Sequence, residues 1–199
     1  MQRPFVGIHI ITLVFSILHT NVNAQTILKS NTQLQNAKNA VVMCKAETVV
    51  SSDSKGKVLS ATLSENQTFY NGKNAAVYCL NDFPVLFNSR GDVVIATLSA
   101  NQTFYNGKNA AVYCLDSAQV SFFDSGKLES AILSTGQTFY NSRNAAVFCE
   151  KNKKVVFYES GYIQSAVLSA NQTFYTIKNQ PRHFKKGSMI YFNDLGYVN

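Results

Sequence analysis

Asn66-Gln67-Thr68-Phe69-Tyr70-Asn71-Gly72-Lys73-Asn74 recurs without change at residues 101–109. Looser versions stand at 136–144 and 171–179, and residues 31–39 keep Asn36, Lys38 and Asn39 in the same register. The same step of 35 residues separates Cys44, Cys79, Cys114 and Cys149. Toward the far end, Ile190-Tyr191-Phe192 and Gly196 repeat Val155-Val156-Phe157 and Gly161 one step later. No insertion or deletion breaks the register, so residues 25–199 divide into five units of 35 residues. A period of this length marks a repeat architecture, in which each unit buries its apolar face against its neighbours. Residues 25–199 are therefore read as a single repeat domain.

Ahead of the repeats, residues 1–24 have the layout of a secretory signal. Arg3 precedes an apolar run from Phe5 to Leu18, and a polar stretch ends in Val22-Asn23-Ala24. Small or aliphatic residues at those last positions suit a signal peptidase. The apolar run falls short of the ~20 residues that a spanning helix needs, and it contains His9. The expected product starts at Gln25 and is secreted, periplasmic or held at the cell surface, with no transmembrane span.

Each unit carries the punctuation of an all-β fold. In the third, Val120-Ser121-Phe122-Phe123 is rich in strand formers, and Asp124-Ser125-Gly126 reads as a turn in which glycine takes a positive φ. Lys127 to Leu133, Gln137 to Tyr140 and Ala145 to Cys149 supply three more short runs, giving up to four strands per unit. Asn71-Gly72 and Asn106-Gly107 predict two-residue type I′ hairpins. No apolar stripe of helical period persists. Ala75–Cys79, Ala110–Cys114 and Ala145–Cys149 are apolar at every other position on both faces, which predicts strands covered on both sides. Five tandem β-hairpin units then form either a linear array or solenoid, which is favoured, or a closed five-bladed, propeller-like ring.

The phrase aromatic-x-x-Ser-Gly-x-hydrophobic, in Phe157–Ile163 and Phe122–Leu128, resembles the hairpin of MORN-like bacterial repeat proteins and, more distantly, WG-type β repeats. The resemblance implies exported β-hairpin arrays that serve as interaction scaffolds. This chain differs in having no Trp and a longer period, so only the architecture is carried over.

Several residues invite a chemical role. A basic residue precedes a repeated amide in every unit: Lys38, Lys73, Lys108, Arg143 and Lys178, followed by Asn39, Asn74, Asn109, Asn144 and Asn179. Together with Tyr70, Tyr105, Tyr140 and Tyr175 they predict a row of equivalent sites for an anionic polymer or a glycan. The competing expectation is that the Asn closes a turn and the basic residue is a solvated edge. Asn66, Asn101 and Asn171 open Asn-Gln-Thr sequons, but Gly136 in the same place predicts a turn that wants positive φ. Arg90-Gly91-Asp92 spells an adhesion tripeptide that the turn composition makes easy by chance. The four cysteines occupy equivalent places, and units of four paired strands would set them ~19 Å apart, beyond disulfide reach. They are read as a reduced part of the core.

The composition is 46% hydrophobic and 15% charged, enough for a packed core and unlike a disordered tail. A net charge of +7 is spread without a run of more than two basic residues, which does not predict nucleic-acid binding. No carboxylate pair repeats, no nucleophile has a matching His, and no set of residues has metal-ligand spacing. The expectation is a non-enzymatic, exported binding or structural scaffold without cofactor, whose partner is a protein, a glycan or an anionic polymer. A lectin-like carbohydrate-binding module and a self-assembling fibre subunit are the alternatives.

Overall fold

The computed structural model describes residues 24–198; the predicted signal lies outside them, apart from Ala24. The first unit contributes β1 (Ala24–Ile27), β2 (Thr32–Gln35), β3 (Val41–Cys44) and β4 (Val49–Ser52). The second has β5 (Val58–Thr62), β6 (Gln67–Tyr70), β7 (Ala76–Cys79) and β8 (Pro84–Phe87). The third has β9 (Val93–Thr97), β10 (Gln102–Tyr105), β11 (Ala111–Cys114) and β12 (Gln119–Phe122). The fourth has β13 (Leu128–Ile132), β14 (Gln137–Tyr140), β15 (Ala146–Cys149) and β16 (Lys154–Phe157). The fifth has β17 (Ile163–Val167), β18 (Gln172–Tyr175), β19 (Pro181–Phe184) and β20 (Met189–Tyr191).

The outer two strands of every unit join one antiparallel sheet of ten strands, in the order β1-β4-β5-β8-β9-β12-β13-β16-β17-β20. The inner two form a separate hairpin, so five hairpins make a second layer over one face of the sheet. The array is open. β1 and β20 are opposite edges of the sheet, and the ring is not formed.

The core lies between the layers. Phe69 of β6 meets Phe87 of β8 edge to face at 5.0 Å, and Phe104–Phe122, Phe139–Phe157 and Phe174–Phe192 repeat the pair at 4.9 Å. Each such pair adds ~0.5–1.5 kcal/mol beyond the burial of its rings. Cys44, Cys79, Cys114 and Cys149 are buried and unpaired in this layer, each Sγ donating to the carbonyl two residues earlier. Each unit puts only two strands into the sheet, so equivalent residues are ~10 Å apart, not the ~19 Å expected from four paired strands.

Two further expectations are corrected. The hairpin strands are covered on one side only: Val77, Val112 and Val147 are buried, while Tyr78, Tyr113 and Phe148 face outward. The hairpin tips are not type I′ turns. Asn71 N–H donates to Ala75 O and Asn74 N–H to Asn71 O, and the residue at positive φ is Asn74, at 57°. This is a three-residue loop, a type I turn closed by a left-handed residue.

The glycines of the tips have another purpose. A Cβ on Gly72 would stand 2.7 Å from Asp124 O, because the tip is pressed against the turn between β12 and β13. That turn has Gly126 at φ 77°, the positive φ expected for it. A Cβ there would meet Lys73 N at 2.2 Å.

Candidate functional site

Within a hairpin, alternation decides which side chains reach solvent. Thr68 pairs with Tyr78 and Tyr70 with Ala76 across β6 and β7, so these four share the outward face while Phe69 and Val77 point to the core. The third unit presents Thr103, Tyr105, Ala111 and Tyr113 in the same way, and the fourth Thr138, Tyr140, Ala146 and Phe148. The fifth presents Thr173, Tyr175, Pro181 and His183, with the Thr173 hydroxyl 2.7 Å from His183 Nδ1. The first unit has Gln33, Gln35, Val41 and Met43 there. Tyr70, Tyr105, Tyr140 and Tyr175 are each about half exposed.

Neighbouring hairpins are not joined by a backbone ladder. A glutamine side chain stands in for one. Gln102 Oε1 accepts from Tyr78 N–H at 2.8 Å, and its Nε2 donates to Ala76 O at 3.1 Å. Gln67, Gln137 and Gln172 bridge their preceding hairpins in the same way. An amide matches one peptide group in donor and acceptor, so the outer layer is held at fixed spacing through a repeated side chain. Each outward tyrosine row therefore sits on a rigid support.

The tips are fixed independently. Asn71 is buried, its Oδ1 accepting from Lys73 N–H and Ala75 N–H and its Nδ2 donating to Gly126 O. Asn36, Asn106 and Asn141 make the same three contacts, reaching Gly91, Gly161 and Gly196. No buried side-chain nitrogen or oxygen lacks a partner among the described residues.

The structure separates the two halves of the sequence-predicted site. The tyrosines form one continuous row, whereas the basic residues lie at the docked tips. Lys38 Nζ is 2.5 Å from Asp92 Oδ1. Lys108 lies over the Tyr162 ring at 4.0 Å, and Arg143 stacks on Tyr197 at 4.3 Å while bonding its hydroxyl. Lys127 occupies the corresponding place in the turn that Lys73 faces, and its Nζ donates to Glu159 O. Lys178 sits on the last tip, after which no further turn of the repeat follows within residues 24–198. Asn39, Asn74, Asn109, Asn144 and Asn179 are the left-handed residues of the tip loops, with φ between 57° and 59°.

Asn66, Asn101 and Asn171 do not take positive φ, and neither does Gly136, which corrects the turn explanation. Their Oδ1 atoms accept instead from the backbone N–H of Asn81, Asp116 and Lys186. Within Arg90-Gly91-Asp92 the last two residues are folded inward while Arg90 stays exposed: Gly91 is buried under the first tip, and the Asp92 side chain is 5% exposed. Burial alone would raise the Asp92 pKa, but bonds from Lys38, Arg90 and Asn88 and the Lys38 charge hold it below the ordinary carboxylate value. Burial pushes the thiols of Cys79, Cys114 and Cys149 up to about 12 and that of Cys44 to about 11. These sulfurs are packing groups, not nucleophiles.

Sequence reasoning missed Tyr78, Tyr113, Phe148 and the threonines Thr68, Thr103, Thr138 and Thr173. The signal was present: in the second unit, Thr68, Tyr70, Ala76 and Tyr78 alternate with core residues across a hairpin. Leu59, Val94, Ile95, Phe123, Glu129 and Glu159 are among the residues that line a shallow groove of about 610 Å³ along the ten-stranded sheet.

Fold and site together define an open, two-layer array of β-hairpin repeats whose outward face, in the second to fifth units, is aromatic and hydroxyl-bearing with no Lys, Arg, Asp or Glu at the outward strand positions. No protein-family model and no curated protein matches the chain.

Proposed function

We propose that this protein is an exported, non-enzymatic scaffold that binds an extended partner along the outward face of its hairpin layer. The observation that carries this reading is the recurrence of Thr and Tyr at one outward place in four successive units, on supports locked by glutamine bridges. Identical rungs on a rigid array suit a partner that is itself repetitive, because weak contacts then sum along its length. Among the described residues no group of three or more His, Cys, Asp or Glu is placed to hold a metal ion, and no helix is long and apolar enough to cross a membrane.

The test is retention of residues 25–199 on immobilised neutral glucan, chitin, heparin and collagen. It compares the unaltered protein with a variant carrying Ala at Tyr70, Tyr105, Tyr140 and Tyr175. Retention on at least one polymer, lost in the variant while its melting temperature holds, supports the reading. Retention that survives all four changes, or none on any polymer, overturns it. The N-terminal sequence of the product recovered outside the cells tests the export step, and it should begin at Gln25.

A further inference from the structure

We infer that the hairpin face is a binding site for a single chain of a neutral, β-1,4-linked glycan, with Tyr70, Tyr105, Tyr140 and Tyr175 each stacking on one disaccharide. This rests on the scaffold reading above and names its ligand. Three properties of the face select that chemistry.

The first is the step. Each unit adds two strands to the sheet, so equivalent tyrosines recur every ~10 Å along the array. A β-1,4 linkage turns alternate sugar rings over, so a given ring face recurs once per disaccharide, at close to this step. An extended peptide repeats a side-chain direction every ~7 Å, so it is out of phase at each adjacent unit and meets at best every second one. Nucleotides along a strand recur every ~3.4 Å and bring charge that this face does not answer.

The second is polarity. The outward positions of units two to five are Thr, Tyr, Ala or Pro, and Tyr, Phe or His, with no Lys, Arg, Asp or Glu among them. Lys38, Lys108 and Arg143, which would serve an anionic polymer, are engaged with Asp92, Tyr162 and Tyr197 at the tips. A neutral sugar ring presents C–H groups above and below and hydroxyls around its rim. Aromatic rings take the former, and the hydroxyls of Thr68, Thr103, Thr138 and Thr173 lie beside them for the latter.

The third is preorganisation. The glutamine bridges and the docked tips fix each tyrosine-bearing strand before any ligand arrives, so little backbone order is lost on binding. Tyr78, Tyr113 and Phe148 form a second row on the neighbouring strands and extend the stacking surface sideways.

The experiment is isothermal titration of residues 25–199 with cellohexaose, chitohexaose and maltohexaose at low and high salt. Binding to at least one of the two β-1,4 hexasaccharides is expected. It should be insensitive to salt, tighter than for the matching tetrasaccharide, and absent for maltohexaose, whose α-linkages coil the chain. Tyr105→Ala and Tyr140→Ala should each weaken binding about two- to tenfold, and Tyr105→Phe should restore most of it. The melting temperature serves as the control, since these side chains are half exposed. No binding to either β-1,4 hexasaccharide, equal binding of maltohexaose, or indifference to both alanine changes overturns the inference. If the four-tyrosine variant nonetheless loses retention on heparin or collagen, the scaffold reading stands and only the glycan assignment falls.

Discussion

The side-chain amide of Asn71 donates to the backbone carbonyl of Gly126 at 3.1 Å, tying a hairpin tip to a sheet turn 55 residues further along the chain. The second tip is thereby clamped to the next unit, and the same bond from Asn36, Asn106 and Asn141 clamps the first, third and fourth, coupling successive units along the array. Asn71→Ala removes three hydrogen bonds and leaves the Gly126 carbonyl buried without a partner. The expected loss is about 1–3 kcal/mol, read as a lower urea midpoint. Thr176 holds the equivalent place in the fifth tip, which docks on no turn among the described residues, and Thr176→Ala should change stability by less than ~0.5 kcal/mol.

Gly56 and Gly126 occupy the same turn position with nearly the same φ, 75° and 77°. Nothing lies within 4 Å of a Cβ at Gly56, whereas one at Gly126 would meet Lys73 N at 2.2 Å. Asn tolerates the left-handed region, so the backbone cost of Gly→Asn is small at both. Gly56→Asn should therefore be almost silent in thermal melts, and Gly126→Asn should undock a tip and lower the melting temperature by several degrees. Equal effects at the two sites would show that the close approach is not what requires glycine at Gly126.

The five-fold period and the short strands of each unit were legible in the sequence, because a 35-residue register survives every local change, but the same spacing allowed an open array or a closed ring. The layering was less legible. Ala145–Cys149 looks apolar on both faces, and nothing in its composition says that Phe148 belongs to a solvent-facing row. The tip contact was hidden for a similar reason. Asn71 reads as a turn former from its neighbours, yet its donor goes to a residue in the next unit. One clue existed: the repeat keeps Asn at 36, 71, 106 and 141, each of which has a turn 55 residues further on, and has Thr176-Ile177 in the fifth unit. Ile177, 66% exposed, stands where Gly72 and Gly107 are held small by contact.

The four thiols should be silent toward a thiol reagent in the native protein, and four should react after denaturation without reductant. A denatured, unreduced sample with no reactive thiols would contradict the unpaired core cysteines. Their ionisation also predicts a pH effect. Burial raises each native pKa from 9.0 to about 11 or 12, so the protonated form is favoured in the folded state. That contribution is complete below the unfolded value and shrinks as pH rises through the interval up to the folded one. Denaturant midpoints should fall between ~pH 9 and ~pH 11, and Cys114→Ala should reduce the steepness of that fall.

Asp92 gives the opposite dependence at the acid end. Burial opposes its charge, but Lys38, Arg90 and Asn88 together outweigh that and set its pKa below 3.8 in the folded chain. A depressed carboxylate stabilises the fold fully above its unfolded pKa, and the contribution disappears as pH falls from there through the native value. The first tip should thus loosen in acid while the third, whose Lys108 lies over uncharged Tyr162, does not. Amide hydrogen exchange followed from neutral pH to about pH 3, after correction for intrinsic rates, should show growing exposure at Lys38 and Ala40 relative to Lys108 and Ala110. In Asp92→Asn that extra acid response should vanish, with the two tips keeping a constant difference across the range. If the wild-type tips respond alike to acid, the Lys38–Asp92 pair is not what holds the first one down.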